Sequence, residues 1–216
     1  MFGNRYIVPQ QKRFVKEHMM NEKRDLRFDK RAEKYDDSYE GKLSEKFYDL
    51  VTGNVQLTDG MAVLEMGCGT GTILYRLSQK CSINGHGIDV EEKMLEQARK
   101  KCPDMEILNC ACDATPFEDG SFDVIVACMA YHHFPDKDGF SKECARLLKK
   151  GGRLYIADPK LPLPIRHALN TALEIHKING KVYTADEMTA NFTGYGFSRV
   201  FDKSDAYAQI LCLERI

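Results

Sequence analysis

The stretch Val63-Leu-Glu-Met-Gly67-Cys-Gly69-Thr-Gly71-Thr-Ile limits what this chain can fold into more than any other. An apolar run of strand length leads into three glycines at alternate positions, and helical periodicity starts immediately behind them. In doubly wound sheets such a turn lies at the carboxyl ends of the strands, where glycine lets a nucleotide-like ligand approach the backbone. Further short apolar runs read as strands at Ala62–Met66, Gly85–Asp89, Glu106–Ala111, Asp123–Cys128 and Leu154–Ala157. Between them, Ile73, Leu77 and Cys81, then Met94, Ala98 and Cys102, and later Phe140, Cys144, Leu147 and Leu148, mark helix faces turned towards a sheet. Lys149-Lys150-Gly151-Gly152 reads as the close of a helix. Pro159, Pro162 and Pro164 predict a loop, followed by helices near Ile165–Ile178 and Ala185–Phe192 and strands near Ser198–Phe201 and Tyr207–Glu214. Strands and helices in alternation define an α/β fold.

Composition narrows the function classes. The 216 residues include 31 Lys+Arg and 32 Asp+Glu, a net charge of −1, so no global field draws in nucleic acid or an anionic membrane. Residues 1–49 hold 12 Lys+Arg and 10 Asp+Glu with few apolar residues. Residues 1–50 therefore read as an N-terminal helical arm, and 51–216 as the domain that orders it. No apolar run approaches the roughly 18 residues of a membrane span, and Met1-Phe-Gly-Asn-Arg-Tyr carries no secretory stretch. A cytoplasmic location is expected, with the eight cysteines as reduced thiols. Cys110 and Cys112 share a face of the third predicted strand, either as small buried apolar groups or as a soft-metal thiol pair. Neither Cys-x-x-Cys nor His-Glu-x-x-His occurs, and no metal is expected.

The ligand of the glycine turn follows from its charge. A dinucleotide fingerprint needs Gly-x-Gly-x-x-Gly, yet the third glycine comes one residue early, at Gly71. A pyrophosphate wants exposed amides and cations, whereas Glu65 precedes the first glycine and no Lys or Arg follows until Arg76. A cationic ligand fits better: S-adenosylmethionine carries a sulfonium and an ammonium beside an adenosine. Asp89 closes the second strand about 20 residues after the turn, where a carboxylate can accept from both ribose hydroxyls. Helix capping ahead of Glu91-Glu92 is its alternative role. Asp113 follows the third strand, positioned to accept from the adenine amino group. A nicotinamide-dependent oxidoreductase and a donor-binding module without turnover remain the alternative readings.

From about Val51 to Ile216 the chain resembles class I S-adenosylmethionine-dependent methyltransferases, especially the ubiquinone/menaquinone-biosynthesis enzymes and their small-molecule relatives. Glu65-x-Gly67-x-Gly69-x-Gly71 is similar to the family's first motif, Asp89 to its ribose-binding acid, and Asp113-Ala114 to its adenine-contacting pair. Ser121-Phe-Asp-Val-Ile-Val and Arg146-Leu-Leu-Lys-Lys-Gly-Gly-Arg-Leu-Tyr-Ile-Ala-Asp resemble its fourth-strand entry and fifth-strand approach. The resemblance implies a Rossmann-like seven-stranded, mostly parallel doubly wound sheet with an antiparallel last strand. It also implies Val90 and Met94 against the adenine, the Cys128 carbonyl at the methionine ammonium, and Tyr35 in an N-terminal lid near the methionine carboxylate. Core packing is the alternative for Val90 and Met94, and anchoring of the arm is the alternative for Tyr35.

Methyl transfer from a sulfonium is an in-line displacement that requires mainly two molecules held at the right distance and angle. A hydroxyl acceptor would gain from a general base, and Tyr131, His132 and His133 follow the fourth strand at the same sheet edge as the glycine turn. By the resemblance, His133 braces the loop and leaves Tyr131 or His132 nearer the acceptor. Leu161, Leu163, Ile165, Leu169 and Leu173 give the segment after the fifth strand an apolar character that suits a small organic acceptor or, equally, core packing. A nucleic-acid acceptor is not expected, because neither Asn/Asp-Pro-Pro-Tyr/Phe after the fourth strand nor a Pro-Cys nucleophile occurs.

Overall fold

The computed structural model describes residues 32–177, 180–205 and 207–216, so the expected arm over residues 1–31 lies outside the described residues. Seven strands, β1 (Ala62–Met66), β2 (Asn84–Asp89), β3 (Glu106–Asn109), β4 (Phe122–Cys128), β5 (Leu148–Pro159), β6 (Phe197–Asp205) and β7 (Ala208–Arg215), form one sheet in the order β3-β2-β1-β4-β5-β7-β6. The first five run parallel, and β7 lies antiparallel between β5 and β6. This is the Rossmann-like sheet that the resemblance implied.

Period-two alternation gives the sheet two apolar faces. Val63, Val124 and Val126 face a cluster with Phe47 and Val51 of α1 (Tyr39–Asn54), Ile73 and Leu77 of α2 (Thr72–Ser78), and Leu95 and Ala98 of α3 (Glu92–Lys101). Leu64, Met66, Ile125 and Ala127 face the other way, onto Phe140, Cys144 and Leu147 of α4 (Lys137–Leu147) and onto Met188 of α6 (Ala185–Ala190). Ile73, Leu77, Ala98, Cys102, Phe140, Cys144 and Leu147 of the predicted stripes pack in these two clusters; Cys81 lies past the end of α2 and is half-buried, Met94 is buried outside both clusters, and Leu148 belongs to β5. Helix α1 runs through the expected boundary between residues 50 and 51, and Phe47 and Val51 on it belong to the core.

Several predicted elements differ in extent, each for a local reason. Strand β3 stops at Asn109, because its sole partner β2 ends at Asp89, the residue paired with Asn109. Cys110 and Cys112 therefore lie in the following loop, packed with the second cluster. Lys149–Gly152 does not close a helix: Leu148 already has extended backbone (φ −73°, ψ 135°), and β5 begins there. Pairing with β4 jumps from Phe122↔Leu148 to Val124↔Arg153, which leaves these four residues as a bulge. Pro164 leaves the loop and occupies the first turn of α5 (Leu163–Ile175), where its fixed φ suits a helix and no N–H is required. A reciprocal cap between Thr184 and Glu187 starts α6, which ends at Ala190, short of Phe192. All eight cysteines are free thiols, six of them buried.

Candidate active site

The glycine turn is built as a cradle at the carboxyl end of β1. The amides of Gly67 and Cys68 both donate to the Ile88 carbonyl, at 2.8 and 2.9 Å, which ties the turn to the end of β2. A Cβ on Gly67, whose φ is +76°, would lie 2.5 Å from the Ala130 Cβ. Gly71 caps α2 in the left-handed region at φ +75°, and a side chain there would press on Ala98 of α3. Both positions admit little but glycine, and the chain passes between them close to neighbouring backbone.

Negative charge surrounds this cradle. Glu65 is 2% exposed, and among the described residues its Oε2 has no hydrogen-bond partner. Burial drives its carboxyl well above the usual carboxylate range; the backbone amide of Leu74 and the charge of Lys101 oppose this, while Asp89 adds to it. Asp89 accepts from the Gly69 amide at 2.9 Å and from the Glu91 amide at 3.0 Å. Its desolvation outweighs those bonds, and its pKa is raised. Asp113 packs against Gly139 of α4, whose added Cβ would lie 3.0 Å from the Asp113 Cβ, and its charge reaches Cys110 together with that of Asp89. Burial raises the pKa of the Tyr48 hydroxyl, and the charges of Cys128, Tyr35 and Glu65 act on it in the same direction.

Sequence-derived residues are distributed unevenly here. Met94 is buried, and its Cε would lie 3.4 Å from a Cβ on Gly69, whereas Val90 and Ala114 are exposed. Cys128 is buried at the end of β4, and burial pushes its thiol well above the usual range. Tyr131 is fully buried: its hydroxyl accepts from Asn191 at 2.6 Å and its ring packs edge-on against Phe140. That is a core position and not the acceptor-facing one expected, since consecutive residues of the short 3-10 turn Tyr131–His133 point in different directions.

His132 makes bracing bonds. Its Nδ1 lies 3.0 Å from Asp158 Oδ1, and its amide donates to Asp158 Oδ2 at 2.9 Å. His133, expected to brace the loop, is exposed; its amide donates to the Ala130 carbonyl at 2.9 Å, and its ring centroid lies 4.0 Å from that of His132. Asp158 is 2% exposed near the end of β5 and was missed from the sequence. It is one more acid at the carboxyl edge of a parallel strand, the same signal that singled out Asp89. Lys137 was also missed: its Nζ sits 5.0 Å from the Tyr131 ring centroid and 5.4 Å from that of Tyr183, and burial pushes its pKa down to about 8. Among the described residues, no three His, Cys, Asp or Glu side chains gather as a metal site.

Known proteins are similar to this chain in sequence and in fold. Residues 64–156 match the protein family described as Methyltransferase domain. Over 116 residues the chain is 33% identical to 27-O-demethylrifamycin SV methyltransferase of Amycolatopsis mediterranei, covering 51% of this chain and 43% of that protein. It is 37% identical over 105 residues to 2-methyl-6-phytyl-1,4-hydroquinone methyltransferase of Synechocystis, covering 47% and 33% of the two chains. A third relative, demethylmenaquinone methyltransferase of Lactococcus lactis, is 37% identical over 114 residues, with 49% and 45% covered. The chain thus spans less than half the length of these curated relatives. In fold it is similar to a chain from the complex of the Haloferax volcanii Trm112 methyltransferase activator with a methyltransferase, at a TM-score of 0.75 and 20% identity over 87% of this chain and 96% of that one. Residues 64–156 are therefore similar to a methyltransferase domain, carried on a sheet of the same fold. The matched relatives are methyltransferases of the quinone and rifamycin type.

Proposed function

We propose that this protein is an S-adenosylmethionine-dependent methyltransferase that alkylates a hydroxyl of a small organic acceptor in the cytoplasm. Glu65 carries the donor assignment: a buried carboxyl with an unsatisfied oxygen beside a glycine cradle gains a partner from a cationic ligand, which favours its ionised form, and offers a pyrophosphate no cation. Asp89 would hold the ribose and Asp113 with Ala114 the adenine. Tyr35, Met94, Val90 and the Cys128 carbonyl would complete the pocket. Bound there, the donor supplies a methyl group on a good leaving group. The nicotinamide alternative draws no support from the matched relatives.

The hydroxyl assignment rests on the His132–Asp158 pair. An ionised Asp158 requires the proton on Nδ1, which leaves the Nε2 lone pair available to take the acceptor's proton. Asp158 orients the ring and stabilises the imidazolium that forms, so His132 acts as general base and Asp158 as its positioning residue. Eight free thiols fit a reducing compartment. Isothermal titration of the folded protein with S-adenosylmethionine tests the donor reading, and absence of binding refutes it. Product analysis with isotope-labelled donor and a panel of phenols, alcohols, amines and thiols tests the acceptor; methylation confined to amines or thiols refutes the hydroxyl assignment.

A further inference from the structure

The segment Ala32–Ser38 crosses the glycine turn and is fastened to it by one lysine. Lys101, the last residue of α3, donates to Asp36 Oδ2 at 2.5 Å, to Thr72 Oγ1 at 2.6 Å and to Thr70 Oγ1 at 3.4 Å. Thr70 Oγ1 in turn donates to Asp36 Oδ1 at 2.8 Å, and Thr72 Oγ1 reaches the same oxygen at 3.3 Å. Both threonines belong to the sequence Gly69-Thr-Gly71-Thr of the turn itself. One carboxylate of the strap therefore meets three donors, two from the donor cradle and one from the helix behind it.

The remainder of the strap is seated for this contact. Ala32 is buried, and the short 3-10 turn Ala32–Lys34 rests against α3. At its other end Ser38 caps α1, accepting from the Gly41 amide at 3.1 Å. A Cβ on Gly41 would lie 2.2 Å from the Tyr35 carbonyl oxygen, so the strap settles onto α1 only over a glycine. Tyr35, next to Asp36, lies close enough to α1 for its charge to act on the Tyr48 hydroxyl.

We propose that Lys101 is a positioning residue that latches the Ala32–Ser38 strap over the glycine cradle, so that donor exchange requires the Asp36–Lys101–Thr70–Thr72 cluster to open. The latch rests on the donor reading given above. Its energy is that of charge-assisted hydrogen bonds in a half-exposed setting, enough to slow opening without locking the site. Lys101 also lies within the field of Glu65, so its removal alone could weaken a cationic ligand through charge. Asp36→Asn separates the two effects, because it breaks the latch and leaves Lys101 in place.

The experiment compares full-length wild type, Lys101→Met, Asp36→Asn, the double variant and Lys101→Arg. Amide hydrogen exchange of residues 32–42 is followed in the empty protein, and S-adenosylmethionine affinity and off-rate by titration and stopped flow. Each single variant is expected to speed strap exchange and donor release by about fivefold. The double variant should be no worse than either single one, and Lys101→Arg should recover most of the loss. Unchanged strap exchange in Asp36→Asn, or additive losses in the double variant, would overturn the latch. Faster strap exchange in variants of a protein that binds no donor when intact would keep the latch and refute the donor reading.

Discussion

The two ends of the sheet's carboxyl edge are built differently. Around the glycine turn, Leu64, Met66, Leu74, Leu77 and Ile88 are fully buried, and Asp89 is held by two backbone amides. Helix α5, which follows β5 at the same edge, has no buried residue. Its polar side faces the body: Arg166 pairs with Glu187 at 2.5 Å, and Asn170 brackets the Val182 backbone with two 2.9 Å hydrogen bonds. Its apolar arc points outward, with Ile165 58% and Ile175 71% exposed. A methyl donor is one fixed molecule, and a rigid, densely packed half can be shaped to it. An element attached by polar contacts opens at lower free energy, which suits the side that must admit an acceptor.

The largest test of this contrast is catalytic. His132→Ala is expected to lower kcat by about 10²–10⁴ with donor affinity unchanged, because proton abstraction fails while the donor half stays intact. Asp158→Asn should cost less in kcat and shift the pH–rate profile, since the imidazolium loses its counter-charge. Equal losses in donor binding would mean that the two halves are not separable. Next in size, Asp89→Ala should weaken S-adenosylmethionine at least about tenfold by titration, the worth of one charge-assisted hydrogen bond. The variant should still fold.

The same contrast explains what could be read in the sequence. The sheet and its glycine turn were legible because period-two and period-four apolar patterns, left-handed glycines and strand-end acids are local signals. Glu65, Asp89 and Asp113 are strand-end acids of this kind, and their roles at the donor are part of the proposal. Asp158 carried the same signal, but it stands after Ile156-Ala157 and before three prolines, and the prolines drew the reading towards a loop. Tyr131 was misread because a 3-10 turn sends consecutive side chains in different directions, and sequence does not say which enters the core. The cluster of Asp36, Thr70, Thr72 and Lys101 joins positions up to 65 residues apart, so no local pattern could announce it.

Glu65 offers a sharper probe of the donor half. Its carboxyl is raised in the fold, so the native empty protein holds a proton that the unfolded chain releases near the ordinary value of about 4.5. The stability this contributes is complete below that value and is lost as pH climbs through the raised pKa. Denaturant melts of the empty protein should show stability falling from about pH 5 upward, and Glu65→Gln should flatten that slope. Saturating S-adenosylmethionine should flatten it in wild type and have little effect in the variant. A slope that survives Glu65→Gln would assign the titration to another group.

The smallest effect is expected on α5, and it is the most telling for the comparison. Ile165→Ser replaces an exposed apolar side chain, so the stability of the free protein should change by no more than about 0.5 kcal/mol in urea melts. A matched change on the donor half, Leu74→Ala, removes a fully buried side chain and should cost about 2–5 kcal/mol. If Ile165 serves the acceptor, the serine variant should raise the acceptor's KM and leave donor affinity alone. A stability loss comparable to that of Leu74→Ala would mean that α5 is core after all, and the division of the edge into a rigid donor half and an adaptable acceptor half would fail.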